Sequence, residues 1–192
     1  MTVDVRIYDS RFFKNTIEFE GPSAKAVVDI LLQHFNPKSV IDIGAGCGIY
    51  LKEFFTSGVD ILGYDGSPAA QENSLIGNDL KIHDLTKPLR LDRQFDLVLC
   101  IEVAEHLDKQ FAETLVETLV NLGSLIIFTA ATPGQGPVSI GHINEQPHDF
   151  WIDLFAQKGF RHDRTTSEEI KAEMEEKNVV WWVSKNIMIF KK

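Results

Sequence analysis

The chain has 192 residues, 44% hydrophobic and 24% charged, enough for one α/β domain with its own core and too few for a sizeable second one. Its formal net charge of −9, with no basic run beyond the terminal Lys191-Lys192, disfavours nucleic acid and anionic membrane surfaces as partners. No apolar stretch is long enough to span a bilayer and no basic-then-apolar leader opens the sequence; Cys47 and Cys100 make neither a disulfide framework nor a zinc pattern, so a reduced, cytoplasmic setting is expected.

Residues 1–21 are rich in aromatics (Tyr8, Phe12, Phe13, Phe19) without a clear helical or strand period, which suggests a lid over a pocket. Gly21-Pro22-Ser23 leads into a helix with Ala24, Val27, Val28, Leu31 and Phe35 at helical spacing, stopped by Asn36-Pro37. Ser39 to Ile43 reads as a buried strand that runs into Gly44-Ala45-Gly46-Cys47-Gly48. A helix with Leu51, Phe54 and Phe55 on one face follows, ending at Gly58. Strands are expected at Val59–Tyr64, Leu80–His83, Phe95–Ile101, Ser124–Thr129 and Asn186–Phe190. Helices are expected from about Asp108 to Asn121, burying Phe111, Leu115 and Leu119, then around Trp151, Leu154 and Phe155, and from Ser167 to Lys177. Strands alternating with helices imply a doubly wound, mostly parallel α/β sheet with helices on both faces, in a single domain. Ligands of such sheets bind outside the carboxyl ends of the strands. That edge collects the polar residues: Asp42 to Gly48, Asp65, Asp84, Glu102 and the loop after Thr129.

The glycine loop lets a ligand approach the backbone closely, as glycine has no Cβ. Its spacing is G-x-G-x-G, with Ile49 where the dinucleotide fingerprint has its third glycine. Asp42, two residues before the first glycine, would oppose a pyrophosphate and suits a cationic ligand. Asp65, before Gly66 and about 20 residues past the loop, is placed to accept ribose hydroxyls; a turn Asp is the plainer alternative. In His83-Asp84-Leu85, Asp84 could accept from an adenine amino group or serve as a turn residue. Glu102 falls just past an apolar strand, and Glu105 and His106 begin the next connection, where His106 reads first as a local packing or cap residue.

Taken together, Val40 to Gly48, the Asp65 turn, His83-Asp84-Leu85 and Glu102-Val103-Ala104-Glu105-His106 resemble class I methyltransferases that use S-adenosyl-L-methionine, over essentially the whole chain. The resemblance implies a seven-stranded sheet whose last strand is antiparallel. It implies that the loop of Gly44, Ala45, Gly46 and Gly48 cradles the amino-acid and ribose parts of the donor. Asp65, with Gly66, would hold the ribose; Asp84, flanked by His83 and Leu85, the adenine. Glu102 and Val103 would lie beside the sulfonium. The stretch Phe128 to Gly136, the run from Gly141 to Pro147 with Phe150-Trp151, and Trp181 to Asn186 also resemble a small bacterial and phage-type subgroup often associated with sugar or glycan pathways. The expected reaction is methyl transfer to a small-molecule acceptor, with a sugar or glycan-precursor hydroxyl as one class. His142, in a loop that follows the fifth strand, is the first candidate for a base, His106 the second, and Asn144 and Gln146 are expected to orient the acceptor. No metal is expected, as no Asp/Asn cluster follows the fourth strand. A donor-binding protein without turnover and an NAD-dependent oxidoreductase are the rival readings.

Overall fold

The computed structural model describes residues 5–135 and 140–192. The start of the aromatic segment (1–4) and part of the glycine-rich loop with Gly136 (136–139) lie outside the described residues. Seven strands form one sheet in the order β3-β2-β1-β4-β5-β7-β6. β1 (Ser39–Ile43), β2 (Asp60–Asp65), β3 (Leu80–Ile82), β4 (Leu97–Cys100) and β5 (Leu125–Phe128) pair in parallel. β7 (Met188–Lys191) runs antiparallel to both β5 and the two-residue β6 (Arg161–His162). The expected sheet, with its antiparallel last strand, is the observed one.

Alternation along the central strands explains the layers. Val40, Leu97, Leu99 and Ile127 point to one face and pack with Val27, Val28, Leu31, Leu51 and Phe54. Ile41, Ile43, Val98, Cys100, Ile126 and Phe128 point to the other, against Leu115, Leu119, Trp151 and Phe155. The first face carries α1 (Ser10–Phe19), α2 (Gly21–Phe35), α3 (Ile49–Thr56), α4 (Pro68–Glu72), α7 (Arg164–Glu176) and α8 (Trp181–Asn186); the second carries α5 (Ala112–Leu122) and α6 (His148–Gln157). Phe155 stacks on Phe190 of β7 with ring centroids 3.9 Å apart, so the last strand is bound into the second core.

Several local expectations need correction. Residues 10–19 are a helix: the Asp9 carboxylate caps it by accepting from the amides of Arg11 and Phe12, both at 2.9 Å. Its aromatics spread around the helix, with Phe13 buried, Phe12 half-buried and Phe19 exposed, which hides the period. Phe55 is exposed and does not share the buried face of Leu51 and Phe54. Phe111 lies in a short 3-10 turn before α5 and is only half-buried. Asn186 ends α8, and the last strand starts at Met188. Both cysteines are buried and free.

Strand order reverses between β1 and β4, so the connections that leave these two strands part in opposite directions and open a crevice at their carboxyl ends. Gly44 begins the connection after β1 with φ +83°, and a Cβ there would collide with the Val103 side chain. Glycine at this position lets the two loops of the switch point close against each other. Among the described residues, no helix is long and apolar enough to cross a membrane.

Candidate functional site

A cavity of about 930 Å³ lies at the switch point. Its floor is built from Asp42 near the end of β1 with Gly44, Ala45 and Gly46 after it, Asp65 at the end of β2 with Gly66 after it, Asp84 and Leu85 after β3, and Glu102 and Val103 after β4. His106 and His142 are on its wall as well. Twelve of the fourteen residues expected to hold the donor or act as a base thus line one cavity. The other two do not. Gly48 caps α3 in a left-handed conformation and faces Ile76. The His83 ring packs edge-on against Tyr64 and bonds the Lys87 carbonyl at 3.1 Å, away from the cavity.

Asp65 is both a turn residue and a cavity residue. Its Oδ2 accepts from the Gly46 amide and its Oδ1 from the Ser67 amide, each at 2.8 Å. One carboxylate therefore ties the glycine loop to the turn after β2. Burial raises its pKa, and those amides oppose the rise. Asp84 is half in its own turn: Oδ1 accepts from the Thr86 hydroxyl at 2.6 Å and Oδ2 pairs with Lys87 at 3.0 Å.

Asp42 follows Val40 on the same side of β1 and is 2% exposed. Its Oδ1 has no hydrogen-bond partner, and burial, then the nearby Asp65 charge, push its pKa up to about 7. Glu20, from the junction of α1 and α2, is also pushed up to about 7 by burial and by the Glu102 charge, while a bond from the Trp182 side chain opposes the rise. Glu102 holds φ +55°, a left-handed conformation uncommon for a non-glycine residue. Its amide donates to Thr129 Oγ1 at 2.8 Å, which fixes the end of β4 to the residue after β5. Burial, then the adjacent Glu105 charge, raise its pKa well above the ordinary carboxylate range. The buried Tyr50 hydroxyl also lacks a partner, and the buried carboxyls of Glu102 and Glu105 meet each other. No lysine or arginine lines this cavity among the described residues. Desolvated carboxylates with unused acceptor atoms and no basic neighbour suit a cation and oppose a phosphate.

On the other side, Tyr8, Phe12, Phe19, Leu107, Ile140, Trp181 and Trp182 give an apolar and aromatic wall. Tyr8 Oη bonds His106 Nδ1 at 2.8 Å, and His142 Nδ1 bonds Glu145 Oε1 at 2.9 Å. The two imidazoles meet edge to face, centroids 4.9 Å apart. Burial, then His142, lower the His106 pKa to about 4. Asn144 and Gln146 are not cavity residues. Asn144 is 3% exposed, its side chain donates to the Ala104 carbonyl at 3.2 Å, and Gln146 donates to Asn144 Oδ1 at 2.9 Å. They pin the His142 loop to the 3-10 turn Ala104–His106. Glu20, Tyr50, Glu105 and Trp182 are not among the site residues read from the sequence; no motif marks Glu20 or Tyr50, Trp182 is visible only within the Trp181 to Asn186 stretch, and Glu105 only within the Glu-Val-Ala-Glu-His run.

Residues 18–127 match the family model described as a methyltransferase domain. The chain belongs to the methyltransferase-domain family. A ubiquinone biosynthesis O-methyltransferase of Rickettsia typhi is 30% identical over 114 residues, 54% of this chain and 46% of the relative. The methyltransferase domain described here therefore matches about half the length of that curated relative. Among solved structures, a SAM-dependent methyltransferase from Archaeoglobus fulgidus superposes with a TM-score of 0.63 at 18% identity, covering 94% of this chain and 99% of the other. Magnesium protoporphyrin IX methyltransferase of Synechocystis PCC 6803, solved with bound SAH, gives 0.60 at 20% identity, covering 75% and 74%. At these identities the likeness is one of fold, and the fold is that of SAM-dependent methyltransferases.

The electrostatics of this methyltransferase domain carry a pH signature. A carboxyl group whose folded pKa lies above its unfolded value binds more protons folded than unfolded, so its contribution to stability falls as pH rises between the two. For Asp42 that window runs from the ordinary aspartate value of 3.8 to about 7. Asp42→Asn should therefore raise the melting temperature by about 3 °C or more at pH 8 and by much less near pH 4. Thermal denaturation at both pH values measures this. An equal change at both, or destabilisation at pH 8, would mean that Asp42 is not a strained buried acid.

Proposed function

We propose that this methyltransferase domain takes a methyl group from S-adenosyl-L-methionine and transfers it to a hydroxyl of a small, uncharged acceptor. The observation that carries the reading is the acid-lined cavity at the switch point, free of lysine and arginine among the described residues. S-adenosyl-L-methionine carries a sulfonium and an ammonium, while NAD would bring a pyrophosphate against Asp42 and Asp65. In this reading Asp42 and the loop Gly44 to Gly46 hold the amino-acid end of the donor. Asp65 and Gly66 hold the ribose, Asp84 and Leu85 border the adenine, and Glu102 and Val103 flank the sulfonium. Asp65 keeps lone pairs for ribose hydroxyls beyond the two amides it already accepts from.

The sulfonium is already activated, so transfer is an in-line displacement. The acceptor oxygen attacks the methyl carbon, the carbon–sulfur bond breaks, and the electron pair stays on sulfur as a neutral thioether. The protein's main contribution is alignment, worth roughly 7–11 kcal/mol in favourable cases. The acceptor's proton has to leave, and His142 and His106 stand on the cavity wall where a hydroxyl would lie. His142 is our first choice for activating it.

The lining also bears on acceptor class. An aromatic and apolar wall beside carboxylates admits a neutral molecule with a hydroxyl. A sugar or glycan precursor fits this when its carrier is uncharged; a nucleotide-linked or phosphorylated sugar would set phosphate against the carboxylates. The O-methyltransferase name of the Rickettsia relative supports oxygen as the methylated atom. Transfer of labelled methyl from the donor to matched panels of neutral and phosphorylated hydroxyl compounds tests the reading. A neutral compound should be methylated, and His142→Ala should lower turnover by about 10²–10⁴-fold with donor affinity unchanged. Preference for phosphorylated acceptors, or near-normal turnover in His142→Ala, would contradict it.

The described part of the expected lid, residues 5–21, covers the cavity in this account, and residues 1–4 lie outside the described residues. Tyr8, Phe12, Phe13, Phe19 and Glu20 face the cavity, and the segment is latched by the Tyr8–His106 bond and by Ser67 Oγ donating to the Tyr8 carbonyl at 2.7 Å. Donor binding should slow amide hydrogen exchange across residues 5–20. Equal exchange with and without donor would remove the lid.

A further inference from the structure

Glu105, His106 and His142 each present one side-chain ligand atom, and the three atoms lie within 4.8 Å of one another. They come from two segments, the 3-10 turn Ala104–His106 and the loop after β5, which are fastened together. The amides of Ile143 and Asn144 both donate to the Glu105 carbonyl, at 2.9 and 3.0 Å, and the Asn144 side chain donates to Ala104.

Each of the three side chains is also held from behind. Glu145 engages Nδ1 of His142, which leaves Nε2 for a ligand; Tyr8 engages Nδ1 of His106, and the Gly141 backbone also bonds that ring. Glu105 is 0% exposed; its Oε1 accepts from the Ala131 amide at 3.2 Å, and its carboxyl group meets the buried carboxyl of Glu102. A carboxylate behind an imidazole is the arrangement that fixes tautomer and orientation in metal sites. Two buried carboxyl groups in contact are costly unless a proton or a cation lies between or beside them.

We propose that Glu105, His106 and His142 form a binding site for a divalent transition-metal ion on the acceptor side of the cavity. Two imidazoles and one carboxylate suit Zn²⁺, Co²⁺, Ni²⁺ or Fe²⁺ better than Mg²⁺, which prefers oxygen ligands. An ion at about 2.0–2.2 Å from each atom holds them about 3–3.5 Å apart, so any pair now wider than that closes on binding. His106 and His142 line the cavity, so the ion's remaining positions face it. This departs from the metal-free expectation drawn from the sequence, where His142 lies far from the Glu-His pair.

The existence of the site does not depend on methyl transfer, but its role rests on that reading. An acceptor hydroxyl coordinated to the ion loses its proton to solvent water more readily, because the cation stabilises the resulting alkoxide. That oxygen then attacks the donor methyl carbon as the carbon–sulfur bond breaks. His142 activates the acceptor as a ligand of the ion, and Nε2 does not itself take the proton.

The test is titration of the chelator-treated full chain with Co²⁺ alone, followed by visible absorption and calorimetry, with Zn²⁺ competition. One Co²⁺ per chain should bind with ligand-field bands that Zn²⁺ displaces. His142→Ala and His106→Ala should abolish the bands and weaken binding by at least about 10-fold, and Glu145→Gln should weaken it by about 10–100-fold. Circular dichroism confirms the fold of each variant, and His142→Gln serves where His142→Ala does not fold. Absence of saturable Co²⁺ binding to the wild-type chain, or binding unchanged in the folded His142 variant, overturns the site and leaves the two rings as a packing pair. Donor calorimetry on the same samples separates the readings. Donor binding without metal binding removes the metal site alone; metal binding without donor binding removes the proposed function alone.

Discussion

Asp42, Glu20, Glu102 and Glu105 are withdrawn from water at the carboxyl edge of the sheet, and no lysine or arginine side chain lines the cavity beside them among the described residues. Burial alone disfavours their charged forms, and their mutual repulsion adds to that cost. A fold keeps such an arrangement only if the rest of the structure holds it in place. Asp42 is fixed within β1 between β2 and β4. Glu102 is locked in a left-handed conformation by Thr129. Glu105 is held by Ala131 and by its own backbone bonds to the His142 loop. The edge is therefore built to receive positive charge, and its strain sits next to the place where a sulfonium would be.

The same logic explains why the glycine loop differs from a dinucleotide fingerprint. In a pyrophosphate site, loop amides and a helix N-terminus face the phosphates. Here the Gly46 amide is already taken by Asp65, and Gly48 is spent on capping α3 against Ile76. What the loop offers a ligand is close approach over Gly44 and Ala45, beneath Val103. Geometry and charge thus select the same class of ligand by independent routes.

The core strands were legible because each is a short β-branched or aliphatic run with both faces buried, and the loops after them carried the acidic residues. The residues proposed for the donor side were legible from position, since Asp42, Asp65, Asp84 and Glu102 each lie within two residues of the carboxyl end of a strand. Other features depend on packing that no local pattern encodes. β6 is two residues long and exists only through its pairing with β7. α1 carries aromatics on several sides because it faces both the core and the cavity mouth. Asn144 looked like an acceptor-binding residue, yet its loop turns it inward to Ala104. Glu105 and His106 are adjacent in sequence, but the 3-10 turn buries Glu105 fully and sends His106 to the cavity wall, where the loop after β5 brings His142 to meet both.

The central claim is that the acid-lined cavity is a site for a cationic adenosyl donor. Isothermal titration of the full chain with S-adenosyl-L-methionine, S-adenosylhomocysteine and NAD tests it most directly. The account predicts saturable one-to-one binding of the first two and none of NAD, with all S-adenosyl-L-methionine binding lost or strongly weakened when Asp42 and Asp65 are both replaced by Asn. Saturable NAD binding, or failure of S-adenosyl-L-methionine to bind the wild-type chain, would contradict it.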